Sequence, residues 1–282
     1  MKTKLPLTMA LLLTMVLFSN NAICYASDYS KPIIRLPNFE KFSPLKIEVF
    51  KLRRSPNVEY ELDQEKEAFY LWKPLGFNAG TASQYGLIAY ISSTENIGAL
   101  PPGWEQVLTK HKYIFVAPQQ AGNGNDFKRR SGLAIQAACQ MLSKYQLDRR
   151  RLYVSGISGG ARAACYAAFN QPDLFSGTIQ DCGCEFYERV SAHYRTTDMD
   201  TAGKYYGASV EPRGLDLSAI RTRVKFAVVT GSRDFRRGNI LDIYYGGLQA
   251  QGFKCRLWDV PDMGHTDCDA TTLEEILTWL KN

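Results

Sequence analysis

From residue 86 onward, short apolar, β-rich runs alternate with stretches of helical spacing. The runs at 86–92 (GLIAYIS), 113–118 (YIFVAP), 151–155, 177–180, 224–230 (VKFAVVT) and 253–260 read as strands. Between them, 104–112, 131–145, 160–170, 240–251 and 272–281 read as helices. The clearest sets Leu133, Ala134, Ala137, Ala138, Met141 and Leu142 on one face. Continuous apolar strands are buried on both faces, and strand–helix alternation forces right-handed crossovers. The pattern therefore predicts an α/β domain: a mostly parallel sheet with helices on both faces. Upstream, 45–52 and 68–72 read as two further strands, predicted to form an antiparallel pair at the sheet edge.

Between 182 and 223 the alternation lapses. That stretch carries Phe186, Tyr187, Tyr194, Tyr205 and Tyr206 among glycines. Insertions of this length are lids, binding loops or packed surface excursions, and a lid or binding insertion at 183–223 is the expectation carried forward. No repeat or low-complexity linker divides the chain, so one domain over 27–282 is expected.

Residues 1–26 have a different character. Lys2 and Lys4 precede an apolar run ending near Phe18, and Cys24-Tyr25-Ala26 offers small residues at −3 and −1. This is the three-part pattern of a secretory signal peptide, and the run is short for a spanning helix. The chain is then expected to be secreted or periplasmic, without a stable membrane anchor. The formal charge of +6 includes Lys2 and Lys4 of that leader. The mild balance left without them gives no sign of a nucleic-acid partner. The runs Lys128-Arg129-Arg130 and Arg149-Arg150-Arg151 read as solvated faces. Export would permit disulfides among Cys139, Cys165, Cys182, Cys184, Cys255 and Cys268, and Cys255–Cys268 brackets the most compact segment. Zinc at Cys182, Cys184 and His193 is a weaker competitor, so neither a metal nor a cofactor is expected.

Gly156-Ile157-Ser158-Gly159-Gly160 carries the sharpest chemical signal. An apolar strand runs directly into it and a helix-forming run leads out, which is the setting of a nucleophile elbow. There Ser158 would be the nucleophile, and the Gly159 amide would stabilise an oxyanion at a helix N-terminus. A serine needs a base, and only His111, His193 and His265 are available. His265 follows a late strand and precedes the last helix, so it is the expected base, with His193 next. Asp234, in a loop after the strand at 224–230, is the expected acid in the order Ser…Asp…His; Asp181, Asp262 and Asp267 are alternatives. The second oxyanion donor would come from Ser92 or Ser93 after the strand at 86–92.

The stretch from Tyr145 to Ala161, with Asp148 and Arg151 leading into the elbow, resembles the polyhydroxybutyrate depolymerase and feruloyl esterase group of α/β-hydrolases. Met263-Gly264-His265 is similar as well, and the likeness spans about 86–282. It implies an α/β-hydrolase fold and a secreted serine esterase that cleaves small or polymeric esters through an acyl-enzyme on Ser158, Asp234 and His265. Asp148 matches a structural position. A peptidase or acyltransferase on the same fold, or a non-catalytic binding protein, are the other readings.

Overall fold

The computed structural model describes residues 67–194, 205–207 and 215–282, together with the backbone of four short strands upstream. In chain order the strands are β1 (Ile34–Leu36), β2 (Phe39–Phe42), β3 (Phe50–Lys51), β4 (Glu59–Tyr60), β5 (Phe69–Trp72), β6 (Gly86–Ile91), β7 (Tyr113–Pro118), β8 (Leu152–Ile157), β9 (Gly177–Asp181), β10 (Arg189–Ser191), β11 (Tyr205–Gly207), β12 (Lys225–Gly231) and β13 (Lys254–Val260). The helices are α1 (Trp104–His111), α2 (Phe127–Lys144), α3 (Gly159–Asn170), α4 (Leu217–Arg223), α5 (Arg237–Leu241) and α6 (Ala270–Lys281).

Nine strands form one sheet in the order β1-β2-β5-β7-β6-β8-β9-β12-β13. From β7 to β13 the neighbours are parallel, whereas β1, β2 and β5 join antiparallel. The central strands are buried throughout, and their side chains divide strictly between the two faces. Leu87, Ala89, Ile91, Ile114, Val116 and Val154 pack with α2 and α3. Ile88, Tyr90, Tyr113, Phe115 and Tyr153 pack with α1 and α6. Full burial of a large apolar side chain contributes about 1.5–3 kcal/mol, so these two layers supply the main drive to fold. Asp126 and Asp269 cap α2 and α6 by accepting backbone N–H bonds.

Three expectations change. The strand at 68–72 pairs with Phe39–Phe42 and with β7, so it lies inside the sheet. Phe50–Lys51 instead forms a separate pair with Glu59–Tyr60. Cys255 and Cys268 do not bridge. No disulfide joins any of the six cysteines from Cys139 to Cys268. Cys255 lies on the α2/α3 side of the sheet and Cys268 on the α1/α6 side, so the sheet itself separates them. The third concerns Arg130, which stands in a predicted solvated run yet is 3% exposed.

Within the predicted insertion, Phe186 and Tyr187 are core residues beside Phe169 and Phe253. After α5 the chain continues as a π-helix over Asp242–Gln249. The Asp242 carboxylate accepts from the His193 and Tyr194 amides, which ties the insertion to that helix. Residues 195–204 and 208–214 of the insertion lie outside the described residues, as does the expected leader at 1–26. No helix among the described residues is long and apolar enough to cross a membrane.

Candidate active site

Strand β8 delivers Ser158 at its carboxyl end, where the chain turns sharply into α3. Ser158 has φ 57° and ψ −121°. A residue with a Cβ reaches this region only when its surroundings enforce it, at a cost of about 1–3 kcal/mol. The enforcement is steric. A Cβ at Gly160 would lie 2.0 Å from the Ile91 carbonyl oxygen, so the elbow nests directly on β6. Ser158 N donates to Asp181 O of β9 at 2.8 Å, pinning the turn from the other side. Serine at a helix N-cap ordinarily bonds the first turn with its hydroxyl. Ser158 makes no such cap bond, so its hydroxyl and the first-turn amides stay open.

Asp234 and His265 come together from loops after β12 and β13. His265 Nδ1 donates to Asp234 Oδ1 at 2.7 Å, and the ring lies over Phe235 with centroids 4.2 Å apart. Asp234 also accepts from Thr230 Oγ1 at 2.8 Å and from Arg236 N at 2.9 Å. Burial pushes its pKa up, but the three hydrogen bonds outweigh burial and leave it below the usual carboxylate range. The other acids go elsewhere. Asp262 pairs with Arg233 on the surface, and Asp267 accepts from Tyr90 Oη at 2.8 Å. Asp181 is fully buried beside Cys268 and Asp267. His193 is held through its backbone, and His111 lies between α1 and α6 near Glu274.

The segment Cys182-Gly183 joins the two halves of the site. A Cβ at Gly183 would lie 2.1 Å from the Ser158 carbonyl oxygen, so only glycine permits this approach. The Cys182 Sγ lies within 4.8 Å of ligand atoms of both Asp234 and His265. Burial first, then the charges of Asp234 and Asp181, push this thiol's pKa up, so it stays protonated. A protonated thiol and a histidine already committed to a carboxylate make a poor metal trio. The zinc set weighed from sequence is not assembled, because Cys184 is buried in the core. No hydrogen bond joins Ser158 Oγ to His265 among the described residues, and in such sites this bond commonly tightens only in the complex with substrate.

Ser158 and Gly159 open onto a cavity of about 300 Å³. Ser92 is buried next to Arg130, which lines the cavity. Its hydroxyl bonds Thr94, and its carbonyl accepts from Arg130 Nη2 at 2.9 Å. Asn123 packs over Gly159, and Arg162, Tyr206 and Arg236 are among the other lining residues. Sequence reasoning missed Asn123, Asn125, Phe127, Arg130, Arg162 and Arg236, whereas Tyr206 lies in the expected lid or binding insertion. Arg162, one turn into α3 from the elbow, is the one that spacing alone offered.

Comparison with known proteins fits this architecture. No protein-family model matches the chain. It is similar to the poly(3-hydroxyalkanoate) depolymerase C of Paucimonas lemoignei, 30% identical over 95 residues that make up 29% of this chain and 23% of that protein. The match thus spans less than a quarter of that protein's length. Among solved structures, an S-formylglutathione hydrolase of Staphylococcus aureus superimposes with a TM-score of 0.56 at 15% identity, covering 81% of this chain and 96% of its own. A ferulic acid esterase gives 0.54 at 17% identity, with 78% and 94% covered. An arylesterase gives 0.53 at 12% identity, with 88% and 85% covered. These likenesses show the fold, and the chain has the α/β-hydrolase fold.

Proposed function

We propose that this α/β-hydrolase-fold chain is a serine esterase that cleaves carboxylic esters through an acyl-enzyme on Ser158. The observation that carries the reading is the strained Ser158, held at φ 57° with its hydroxyl uncapped beside a cavity. Strain of this kind persists where function requires it. In the proposed reaction His265 accepts the Ser158 proton as the hydroxyl attacks the ester carbonyl. Asp234 holds the imidazole by its Nδ1 proton and stabilises the cation that forms. The Gly159 amide receives the developing oxyanion at the start of α3, with the Ser92 loop as the second donor. His265 then protonates the leaving alcohol, and water releases the acyl group by the reverse route.

The fold likeness to several esterases and the partial likeness to a polyester depolymerase support an ester substrate. Export after removal of 1–26, and a lid role for the insertion at 183–223, complete the reading. The test is fluorophosphonate labelling of the protein beside Ser158→Ala, with hydrolysis of 4-nitrophenyl butyrate followed in parallel. Labelling and turnover that vanish together in the variant support the reading. Equal labelling of both proteins overturns it. Turnover of peptide anilides in preference to esters would move the chain to the peptidases.

A further inference from the structure

Among the described residues, the wall of the Ser158 cavity carries three guanidinium groups, those of Arg130, Arg162 and Arg236, and no carboxylate side chain. Arg162 is balanced from behind. Its Nε and Nη2 meet Glu185 Oε2 at 3.0 and 2.5 Å, and its guanidinium lies 5.4 Å from the Tyr206 ring centroid. Among the described residues, the guanidinium groups of the other two have no such partner. Arg130 uses Nε and Nη2 on the carbonyls of Ala121 and Ser92, at 2.7 and 2.9 Å. A Cβ at Gly159 would lie 3.2 Å from Arg130 Nη1, so this free corner faces the elbow. Glu95 acts on Arg130 from a distance, but its carboxylate is bonded by Asn125 Nδ2. Arg236 stacks on Phe235 and reaches only the Asn239 side-chain oxygen, at 3.5 Å.

A guanidinium 3% exposed and bonded only to neutral carbonyls is an uncommon arrangement, because a buried cation ordinarily meets a carboxylate. This buried cation, with the half-buried Arg236 on the same wall, leaves an opening for an anion that arrives with the ligand. The guanidinium fork matches a carboxylate or a phosphate with two parallel N–H bonds. A cavity of about 300 Å³ is at the small end of ligand sites, so the anion and the reacting carbonyl must belong to one small molecule or one chain end. We propose that the preferred substrate is an ester bearing an oxyanion group, carboxylate or phosphate, a few bonds from the scissile carbonyl. Arg130 and Arg236 are its specificity-determining residues. This rests on the esterase reading of Ser158.

Three substrates of matched length separate the possibilities: 4-nitrophenyl hexanoate, its half-ester of adipic acid, and 4-nitrophenyl 5-phosphonopentanoate. The expected result is a kcat/KM at least about tenfold higher for one of the anionic esters than for hexanoate, falling as salt is raised. Which anion gains more tells carboxylate from phosphate. Arg236→Gln should lower the anionic-to-neutral ratio by about tenfold, and Arg236→Lys should restore part of it. Arg130→Lys keeps the charge but withdraws the Nη1 donor that faces the elbow, and should lower the ratio as well. A ratio of one or less in the unaltered protein overturns the proposal and leaves the esterase reading standing. If Ser158 fails to label and no ester turns over, adipate monomethyl ester is titrated calorimetrically into Ser158→Ala. Saturable binding that Arg236→Gln weakens supports the anion site by itself, and no binding overturns it.

Discussion

Asp181 and Asp234 stand at the carboxyl ends of neighbouring parallel strands, β9 and β12, and their surroundings push them in opposite directions. Asp234 is met by three donors, from Thr230, Arg236 and His265, and its pKa falls below the usual range. Asp181 is more deeply buried and faces another acid. Cys268 offers its thiol and amide nearby, but neither Asp181 oxygen finds a donor in hydrogen-bonding geometry among the described residues. Burial first, and then Asp267, push its pKa well up. Burial likewise pushes Asp267 up to about 6, against the hydrogen bond from Tyr90. Position at a strand end therefore does not make a carboxylate a histidine partner; the donors that converge on it do.

The largest test of this contrast is activity. Asp234→Asn should lower kcat by about four orders of magnitude, because the amide no longer holds the required imidazole tautomer. Asp181→Asn should change kcat less than about tenfold, since a protonated carboxyl and an amide have similar shape and charge. Ester turnover by both variants measures the difference. Similar losses would break the comparison and return Asp181 to the list of candidate acids.

A second test is the pH dependence of stability. Asp234 has a lowered folded pKa, so its contribution is present above pH about 4 and is lost as pH falls through the folded value. Asp181 and Asp267 have raised folded values. Between pH about 4 and those values the folded state holds protons that the unfolded chain has released, so stability falls as pH rises. The raised Asp267 pKa corresponds to a cost on the order of 3 kcal/mol above pH 6. Asp181→Asn relieves the pair and should raise the melting temperature by about 5 °C at pH 8, with little change at pH 4. Scanning calorimetry at the two pH values reads it. An equal shift at both would mean that Asp181 is ionised in the folded protein.

The smallest effect concerns Cys268, whose thiol belongs to the Asp181 pocket only if it is not bridged to Cys255. Both cysteines should alkylate under denaturing, non-reducing conditions and appear as two separately modified peptides by mass spectrometry. A linked peptide would take the thiol from Asp181 and reinstate the bridge that residue spacing suggested.

Much of the fold was legible because it is written locally. The central strands β6, β7, β8 and β12 are largely apolar and buried on both faces, and Ser158 sits between one of them and a run of small helix formers. The N-terminal strands were less legible. Phe39–Phe42 is a four-residue strand with two charged residues, and its place beside β5 depends on pairing across the chain. Of the four acids weighed as partners of His265, only the loop geometry after β12 separates Asp234 from the others. Arg130 shows the same limit: in sequence it belongs to a basic run, while in the fold α2 turns it inward onto the Ser92 and Ala121 carbonyls.

By itself the sequence determined the alternating α/β architecture and the strand–turn–helix around Ser158, because hydrophobic period and glycine requirement act over a few residues. Only the tertiary structure decided which acid meets His265, that the sheet separates Cys255 from Cys268, and that three arginines share a wall with Ser158. Those outcomes depend on which loops and helix faces the sheet brings together, and no local propensity encodes that.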